Sequence, residues 1–158
     1  MPLLMEKEIT TNRIILTNYE IFRALDDPIR GKIVQLLHKK QLNVEQITRR
    51  LKKFGYKKAV TTIRHHIEIL KNSGLIEISK IEEARGGITK YYGTSTKLLD
   101  FTLPADFDKN YSKLISKTSL KLGKIVGPIS KNFSKTRKIQ QINYNNFIIM
   151  EIINRAMT

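Results

Sequence analysis

The sequence contains no cysteine among its 158 residues. This absence excludes a disulfide framework, a thiolate metal site and redox sensing through thiols. The apolar run at residues 147–150 ends at Glu151, and no run approaches the roughly 20 apolar residues that a membrane-spanning helix needs. Residues 1–10 carry Glu6 and Glu8 and lack the basic start and apolar middle of a signal peptide. We therefore expect a soluble, cytoplasmic protein that does not bind membranes.

Acidic residues are scarce as well. The chain has 14 Asp and Glu against 29 Lys and Arg, which gives a formal net charge of +15. Such a charge favours a polyanionic partner, with nucleic acid ahead of an anionic membrane surface. The alternative is a solvated, lysine-rich surface without a partner. The imbalance is greatest at residues 109–150, which contain eight Lys, one Arg and no acidic residue.

The residue patterns that enzymes use are missing too. The sequence has no glycine-rich phosphate loop and no Ser in a recognisable nucleophile turn. Its three histidines, His38, His65 and His66, have no carboxylate arrangement that suggests a metal site or a catalytic triad. The pair Asp26-Asp27 is better explained as a helix cap than as a catalytic pair. We therefore expect no enzymatic activity, no cofactor and no metal ligand.

Residues 61–76, TTIRHHIEILKNSGLI, have the pattern of a helix followed by a strand. Ile63, Ile67 and Leu70 recur at helical spacing and should face a core. Gly74 can end the helix, because glycine tolerates the left-handed conformation that follows many helices. The other faces of this helix carry Thr61, Thr62, Arg64, His65 and Glu68. This outer face is free to enter a groove of DNA.

Three shorter helices are predicted before it. Asn18 begins a helix to residue 25, Asp27-Pro28 begins one to about residue 39, and Asn43 begins a third that Gly55 breaks. A glycine-containing turn then joins the third helix to the helix at residues 61–76, which is the arrangement of a helix-turn-helix. The leader at residues 1–17 could add either a strand or a short helix.

A β-hairpin is predicted after Gly74. Residues 75–81 and 88–94 have strand character, and residues 82–87 include Gly86-Gly87, which suits a turn. Two strands alone are marginally stable, so this wing should pack on the helices. The side chains expected to pack there are Ile76, Ile78, Ile88 and one of Tyr91 and Tyr92.

The C-terminal residues predict amphipathic helices. The first has an apolar face and a basic face, Gly127-Pro128 should interrupt it, and a last helix at about residues 139–156 carries Ile142, Ile149, Ile152 and Ile153. Because these helices cannot bury their apolar faces alone, we expect them to pair between subunits in a homodimer. The lysines could form the exposed side of that dimer or a second DNA surface. The apolar face comprises Tyr111, Leu114, Ile115, Leu122, Ile125 and Val126, and the basic face comprises Lys109, Lys113, Lys117, Lys121 and Lys124.

Several motifs resemble those of the arsenic-repressor-like (ArsR-like) winged helix-turn-helix regulators. They are Ala24-Leu25-Asp26-Asp27-Pro28-Ile29-Arg30, then His66-Ile67-x-x-Leu70-x-x-x-Gly74-Leu75-Ile76, and in the wing Gly86-Gly87 and Tyr91-Tyr92. The resemblance covers roughly residues 18–95. It implies a dimeric transcription regulator of archaeal type, with the helix at residues 61–70 in the major groove and the wing on the adjacent backbone or minor groove.

The sequence departs from this family in two respects. The turn between Gly55 and His66 is longer than is typical, and the Cys-containing or His-rich motifs of metal-sensing members are missing. Metal sensing is therefore not implied. The sequence also does not identify an effector, an operator or the direction of regulation.

Nine residues are candidates for DNA contacts. Thr61, Thr62, Arg64 and His65 could read base edges, although each could instead touch only phosphate or solvent. Lys57 and Lys58 lie at the start of the same helix, where a phosphate is favoured. Three further candidates lie elsewhere. Arg85 could probe the minor groove or pair with a nearby glutamate, and Lys90 could contact the DNA backbone. Arg49 could contact a phosphate or remain solvated.

The sequence thus predicts a mainly α fold with a small antiparallel β-wing. The expected parts are a leader at 1–17, a winged helix-turn-helix domain at 18–103 and basic dimerisation helices at 104–158. The expected function is sequence-specific binding of double-stranded DNA by a homodimeric transcriptional regulator associated with the nucleoid. The alternatives are a weakly selective architectural DNA-binding protein and a winged-helix module for protein interaction.

Overall fold

The computed structural model describes residues 1–131 and 138–157. The chain divides into two compact units, an N-terminal unit, Met1–Leu98, to which Met157 also belongs, and a C-terminal unit, Leu99–Ala156. Within the described residues, no helix is long and apolar enough to cross a membrane.

The N-terminal unit contains four helices and four strands. The helices are α1 (Tyr19–Ala24), α2 (Pro28–Leu37), α3 (Val44–Lys53) and α4 (Val60–Asn72). The strands are β1 (Leu3–Glu6), β2 (Leu42–Asn43), β3 (Glu77–Ala84) and β4 (Gly87–Gly93). Helix–turn–helix is thus followed by a hairpin, and the fold is the predicted winged helix-turn-helix.

Side chains cap the first three helices where the sequence predicts. Asn18 Oδ1 accepts a hydrogen bond from the Glu20 backbone N–H at 2.7 Å, and Asp27 Oδ1 accepts one from the Ile29 N–H at 2.8 Å. Asn43 and Gln46 cap α3 reciprocally, each side chain accepting from the backbone N–H of the other. These short-range contacts define where α1, α2 and α3 begin.

The strands form one antiparallel sheet in the order β1-β3-β4-β2. The leader therefore contributes a strand, which resolves the choice that its sequence left open. The predicted hairpin turn at residues 82–87 is too long, because β3 continues to Ala84 and pairs Ala84 with Gly87. Only Arg85-Gly86 remain at the tip, and Gly86 has the positive φ of 85° that such a tight turn requires.

The core lies where α2, α3 and α4 meet the sheet. Its fully buried side chains include Ile33, Leu37, Ile47, Leu51, Ile63, Ile67, Leu70 and Leu75. The wing reaches this core through Ile76 and Tyr92, which are buried, and Ile78, which packs against the core from its edge. The prediction for Ile88 is wrong: its side chain is 53% exposed, because it lies beside the hairpin tip, beyond the helices that cover the base of the wing.

The C-terminal unit consists of two long helices in contact, α5 (Phe107–Lys131) and α6 (Lys138–Ala156). The predicted interruption at Gly127-Pro128 does not occur, and α5 continues through Pro128. A proline removes one backbone N–H from a helix, and Pro128 lies at an exposed position of α5. Ile142, which the sequence places on the apolar face of α6, lies outside the described side chains.

Candidate nucleic-acid interface

Helix α4 has a buried face and an exposed polar face. Ile63, His66, Ile67 and Leu70 are buried against the N-terminal core. Thr61, Thr62, Arg64 and His65, the four candidates for base contacts, are all exposed together with Glu68. The helix is thus held by its apolar side and presents a polar surface to solvent over its first two turns.

The start of α4 differs from the starts of the three helices before it. Its N-cap residue is Ala59, and no side chain accepts a hydrogen bond from the first turn. The N–H groups of this turn are therefore available, and the helix dipole adds partial positive charge there. Lys57 and Lys58 precede the turn and are exposed. Backbone donors and two ammonium groups together make a site suited to an anion such as a phosphate.

Arg64 pairs with a residue of the other helix of the helix-turn-helix. Its guanidinium Nη2 lies 3.6 Å from Oε1 of Glu45 in the first turn of α3. Both side chains are more than half exposed, so the pair contributes little to stability. Sequence reasoning did not identify this partner, since the two residues are 19 positions apart and no local spacing relates them. Arg64 can therefore leave the Glu45 carboxylate and bind another hydrogen-bond acceptor.

Arg30 on α2 has a largely buried side chain. Its Nε donates to the carbonyl oxygen of Ala24 at the end of α1, and its Nη1 lies 4.0 Å from the Asp27 carboxylate. Nη1 also lies 3.4 Å from Nδ1 of His66 on α4. Arg30 therefore joins three helices inside the unit. The reason is that the turn at Asp26-Asp27 brings the carbonyl groups of α1 close to the first turn of α2.

The contact with Arg30 defines the state of His66. A guanidinium can only donate, so a hydrogen bond between these two atoms requires Nδ1 to accept and the ring proton to lie on Nε2. Burial lowers the pKa of His66, the Asp27 carboxylate opposes this shift, and the charge of Arg30 adds to it. Burial of His66 thus favours its neutral form. No group of His, Cys, Asp and Glu that could hold a metal ion occurs among residues 1–131 and 138–157.

The wing carries two candidate cations. Arg85 is exposed at the hairpin tip and Lys90 is exposed on β4. Arg85 makes no ion pair with any described residue, which removes the glutamate partner considered from the sequence. Glu82 pairs instead with Lys80, their charged atoms being 2.5 Å apart. Hydrogen bonds from Lys80 and from the Tyr91 hydroxyl lower the pKa of Glu82, and its charge is thereby matched within the sheet.

The remaining candidate, Arg49, is exposed on α3. The structure thus distributes the nine candidates over three elements. Six lie within residues 57–65 at the start of α4, two lie on the wing and one lies on α3. All nine residues are exposed, so a partner can reach them without unfolding the N-terminal unit.

A family model described as "Helix-turn-helix domain" matches residues 25–79. A comparison with curated proteins gives no match. The expectation of an archaeal type is not supported by any of these comparisons.

Three solved structures are similar to the chain. One is the homodimeric winged helix-turn-helix DNA-binding domain of a possible ArsR-family regulator from Mycobacterium bovis. It is 19% identical in sequence, the TM-score is 0.36, and the match covers 66% of this chain and 80% of that one. Another is an ArsR-like transcriptional regulator from Rhodococcus sp. RHA1, at 18% identity, a TM-score of 0.36 and coverage of 71% and 88%. The third is Bacillus subtilis PadR in complex with operator DNA, at 15% identity, a TM-score of 0.39 and coverage of 84% and 100%. The family model identifies residues 25–79 as a helix-turn-helix domain, and the β3–β4 hairpin gives this part of the chain a winged helix-turn-helix architecture.

Proposed function

We propose that this protein is a DNA-binding transcriptional regulator that inserts α4 into the major groove of double-stranded DNA. The observation that carries the proposal is the start of α4, where an uncapped first turn, two lysines and an exposed polar face occur together. An α-helix fits the major groove, and its N-terminal residues reach the base edges in helix-turn-helix proteins. The match of residues 25–79 to a helix-turn-helix domain supports this proposal.

The roles of the α4 residues follow from their chemistry. Lys57, Lys58 and the free N–H groups of the first turn bind phosphate and fix the position of the helix. Arg64 reads guanine O6 and N7 with both guanidinium nitrogens, and Thr61 and Thr62 contact a thymine methyl group or a phosphate. His65 is the fourth residue on this surface.

The wing and α3 supply contacts on either side. Arg85 at the hairpin tip enters the minor groove, where a narrow A·T-rich segment attracts arginine. Lys90 on β4 and Arg49 on α3 bind the backbone. These contacts add affinity that does not depend on sequence and that decreases as salt rises.

The regulator acts as a homodimer through its C-terminal unit. Apolar side chains of α5 and α6 remain exposed in the single chain, among them Leu114 at 58% and Leu120 at 73%. A second copy would cover them, as facing helices do in a coiled coil. A symmetric dimer would place two α4 helices about 34 Å apart, one turn of DNA. This dimer would act in the cytoplasm, associated with the chromosome.

One observation favours a second reading, that of a weakly selective architectural protein. All five lysines of the basic face of α5 are exposed, so they could hold flanking duplex. Replacing Lys113, Lys117 and Lys121 together by Gln tests this. If these lysines bind DNA, the slope of log affinity against log salt concentration should become less steep in the variant, by about one unit for each phosphate contact that is lost. An unchanged slope would show that the stripe is only the solvated side of the helix.

Fluorescence anisotropy of the full-length protein tests the proposal as a whole. The protein is titrated on the duplex upstream of its own gene and on a scrambled duplex, each at low and near-physiological salt. A regulator should bind the promoter at least about 10³-fold more tightly than the scrambled duplex at the higher salt. Equal affinities that fall together would indicate the architectural protein, and binding to neither would indicate a module for protein interaction.

A further inference from the structure

A cavity of about 550 Å³ lies in the N-terminal unit, outside the surface proposed for DNA. Three stretches form most of its lining: the leader at 8–14, the end of α2 and the loop after it at 37–41, and residues 93–97 at and beyond the end of β4. Ser79 and Met157 complete the lining. Cavities that hold small organic molecules in proteins have about 300–1,000 Å³. This one is large enough for a ligand of several carbon atoms.

The charges at this cavity are mostly positive. Lys39, Lys40 and Lys97 line it, against a single carboxylate, that of Glu8. Within the described part of the chain none of these four groups forms an ion pair with another residue. The field also acts on His38, whose pKa is lowered by burial and then by the charges of Lys39 and Lys97. An anion entering the cavity would meet three ammonium groups that have no ion-pair partner among residues 1–131 and 138–157.

The rest of the lining is apolar or able to form hydrogen bonds. Ile9, Ile14 and Leu37 give apolar surface. The His38 Nε2 atom lies 3.1 Å from the Thr11 hydroxyl, which joins the leader to the end of α2 across the cavity wall. The pattern of an apolar surface with a few polar groups is the one that binding sites for small molecules show.

The cavity wall is also conformationally unusual at Lys39. This residue has a φ of 56°, a left-handed conformation that costs a non-glycine residue free energy. The conformation turns the chain out of α2 and sends it into β2, so that consecutive residues 37–41 all line the cavity. Strained residues of this kind are often found where a loop holds a ligand.

We propose that this cavity binds a small organic acid. The carboxylate lies among Lys39, Lys40 and Lys97, and the apolar body of the acid lies on Ile9 and Leu37. We further infer that the bound acid changes the affinity for DNA, a step that rests on the proposed function.

The structure offers two connections from the cavity to the helix-turn-helix. Gln41 in the wall is followed directly by Leu42–Asn43, and Asn43 caps α3. Thr94 in the wall donates a hydrogen bond of 2.5 Å to the carbonyl oxygen of Leu75, a buried residue just beyond α4. A ligand that shifts these wall residues would act on the supports of both helices. The coupling is reciprocal, so DNA would change the affinity for the acid by the same factor.

Ligand binding is tested first without DNA, by NMR on the full-length protein. The probes are acetate, hexanoate and benzoate, the neutral amides of the same acids, and inorganic phosphate. The expected result is that hexanoate or benzoate shifts the signals of His38 and Thr94 saturably, with a dissociation constant at or below about 1 mM. The corresponding amide should bind at least about tenfold more weakly, because it lacks the charge that the lysines recognise.

Matched variants locate the site. Lys97→Gln should weaken hexanoate binding about tenfold, whereas Lys53→Gln, which removes an exposed lysine at the end of α3, should leave it unchanged. The proposal is overturned if no acid binds, if acid and amide bind alike, if phosphate binds as tightly as hexanoate, or if both variants behave alike.

The effect on DNA is measured separately, by anisotropy on the promoter duplex with and without saturating hexanoate or benzoate. A change in DNA affinity of about fivefold or more supports an effector site. An unchanged affinity despite saturable binding of the acid would overturn the effector role. If the protein binds no DNA at all, the proposed function fails, while the NMR titration still decides whether the cavity holds an organic acid.

Discussion

Replacing Arg64 by Gln should separate DNA binding from stability. The side chain is 61% exposed, and its only ion pair, among the described residues, is the exposed contact with Glu45 at 3.6 Å. Exposed pairs of this kind contribute from about 0 to 1 kcal/mol to the free energy of unfolding. A bidentate contact to guanine contributes about 1–3 kcal/mol of discrimination, so promoter affinity should fall by about 5- to 150-fold. The variant should therefore fold normally and bind its promoter poorly.

The assay is anisotropy on the promoter and scrambled duplexes, with urea unfolding of the same samples. Lys71→Gln is the matched control, since Lys71 also lies on α4, carries the same charge and pairs with Glu68 at 3.0 Å. It lies in the last turn, away from the residues proposed to read bases. The control should lose little promoter affinity, and both variants should keep their unfolding free energy within about 1 kcal/mol.

Two results would refute the reasoning for Arg64. Equal promoter affinity for the Arg64 and Lys71 variants would remove Arg64 from the interface. An equal loss on promoter and scrambled DNA would assign Arg64 to phosphate instead, with a salt slope lower by about one. Glu45→Gln provides the converse test, because removing the competing carboxylate should strengthen binding to both duplexes.

Three further predictions concern the fold and the assembly. Asn43→Ala removes the capping box of α3 and should lower the unfolding free energy in urea by about 1 kcal/mol, whereas Asn43→Asp should retain most of it. Burial lowers the pKa of His66 from 6.5 in the folded chain, so the unfolded chain binds more protons near that pH. The free energy of unfolding, measured in urea, should therefore keep its full value above that pH and decrease as the pH drops below it. His66→Gln should reduce that dependence, and a pH-independent stability of the unaltered protein would contradict it. A chain ending at Leu103 should be monomeric by light scattering if the C-terminal unit dimerises, and a stable dimer would place the interface elsewhere.

Local sequence patterns predicted the helix-turn-helix well. The caps at Asn18, Asp27 and Asn43 depend on contacts two or three residues away, so composition and spacing reveal them. Apolar residues three and four positions apart predict the buried face of α4, and the polar residues between them then form its exposed face. The sequence therefore identified the surface of α4, whereas the role of each residue on it stays a prediction.

Features that depend on distant residues were not predictable. The turn of the wing was placed too broadly because pairing between β3 and β4 extends the strands beyond their apolar residues. Ile88 is apolar and still exposed, since only the packing of the sheet shows how far the helices cover it. Arg30 has the position of a surface cation on α2, yet contacts with α1 and α4 hold it inside.

By itself the sequence determined the type of fold, the order of its elements and the excess of positive charge, because these depend on near neighbours and on composition. Only the tertiary structure decided which charges are free. It pairs Arg64 with Glu45, leaves Arg85 unpaired among the described residues and gathers three lysines around one cavity. The reason is physical: charge interactions depend on distance in space, and residues far apart in the chain come within a few ångströms only after the core has packed.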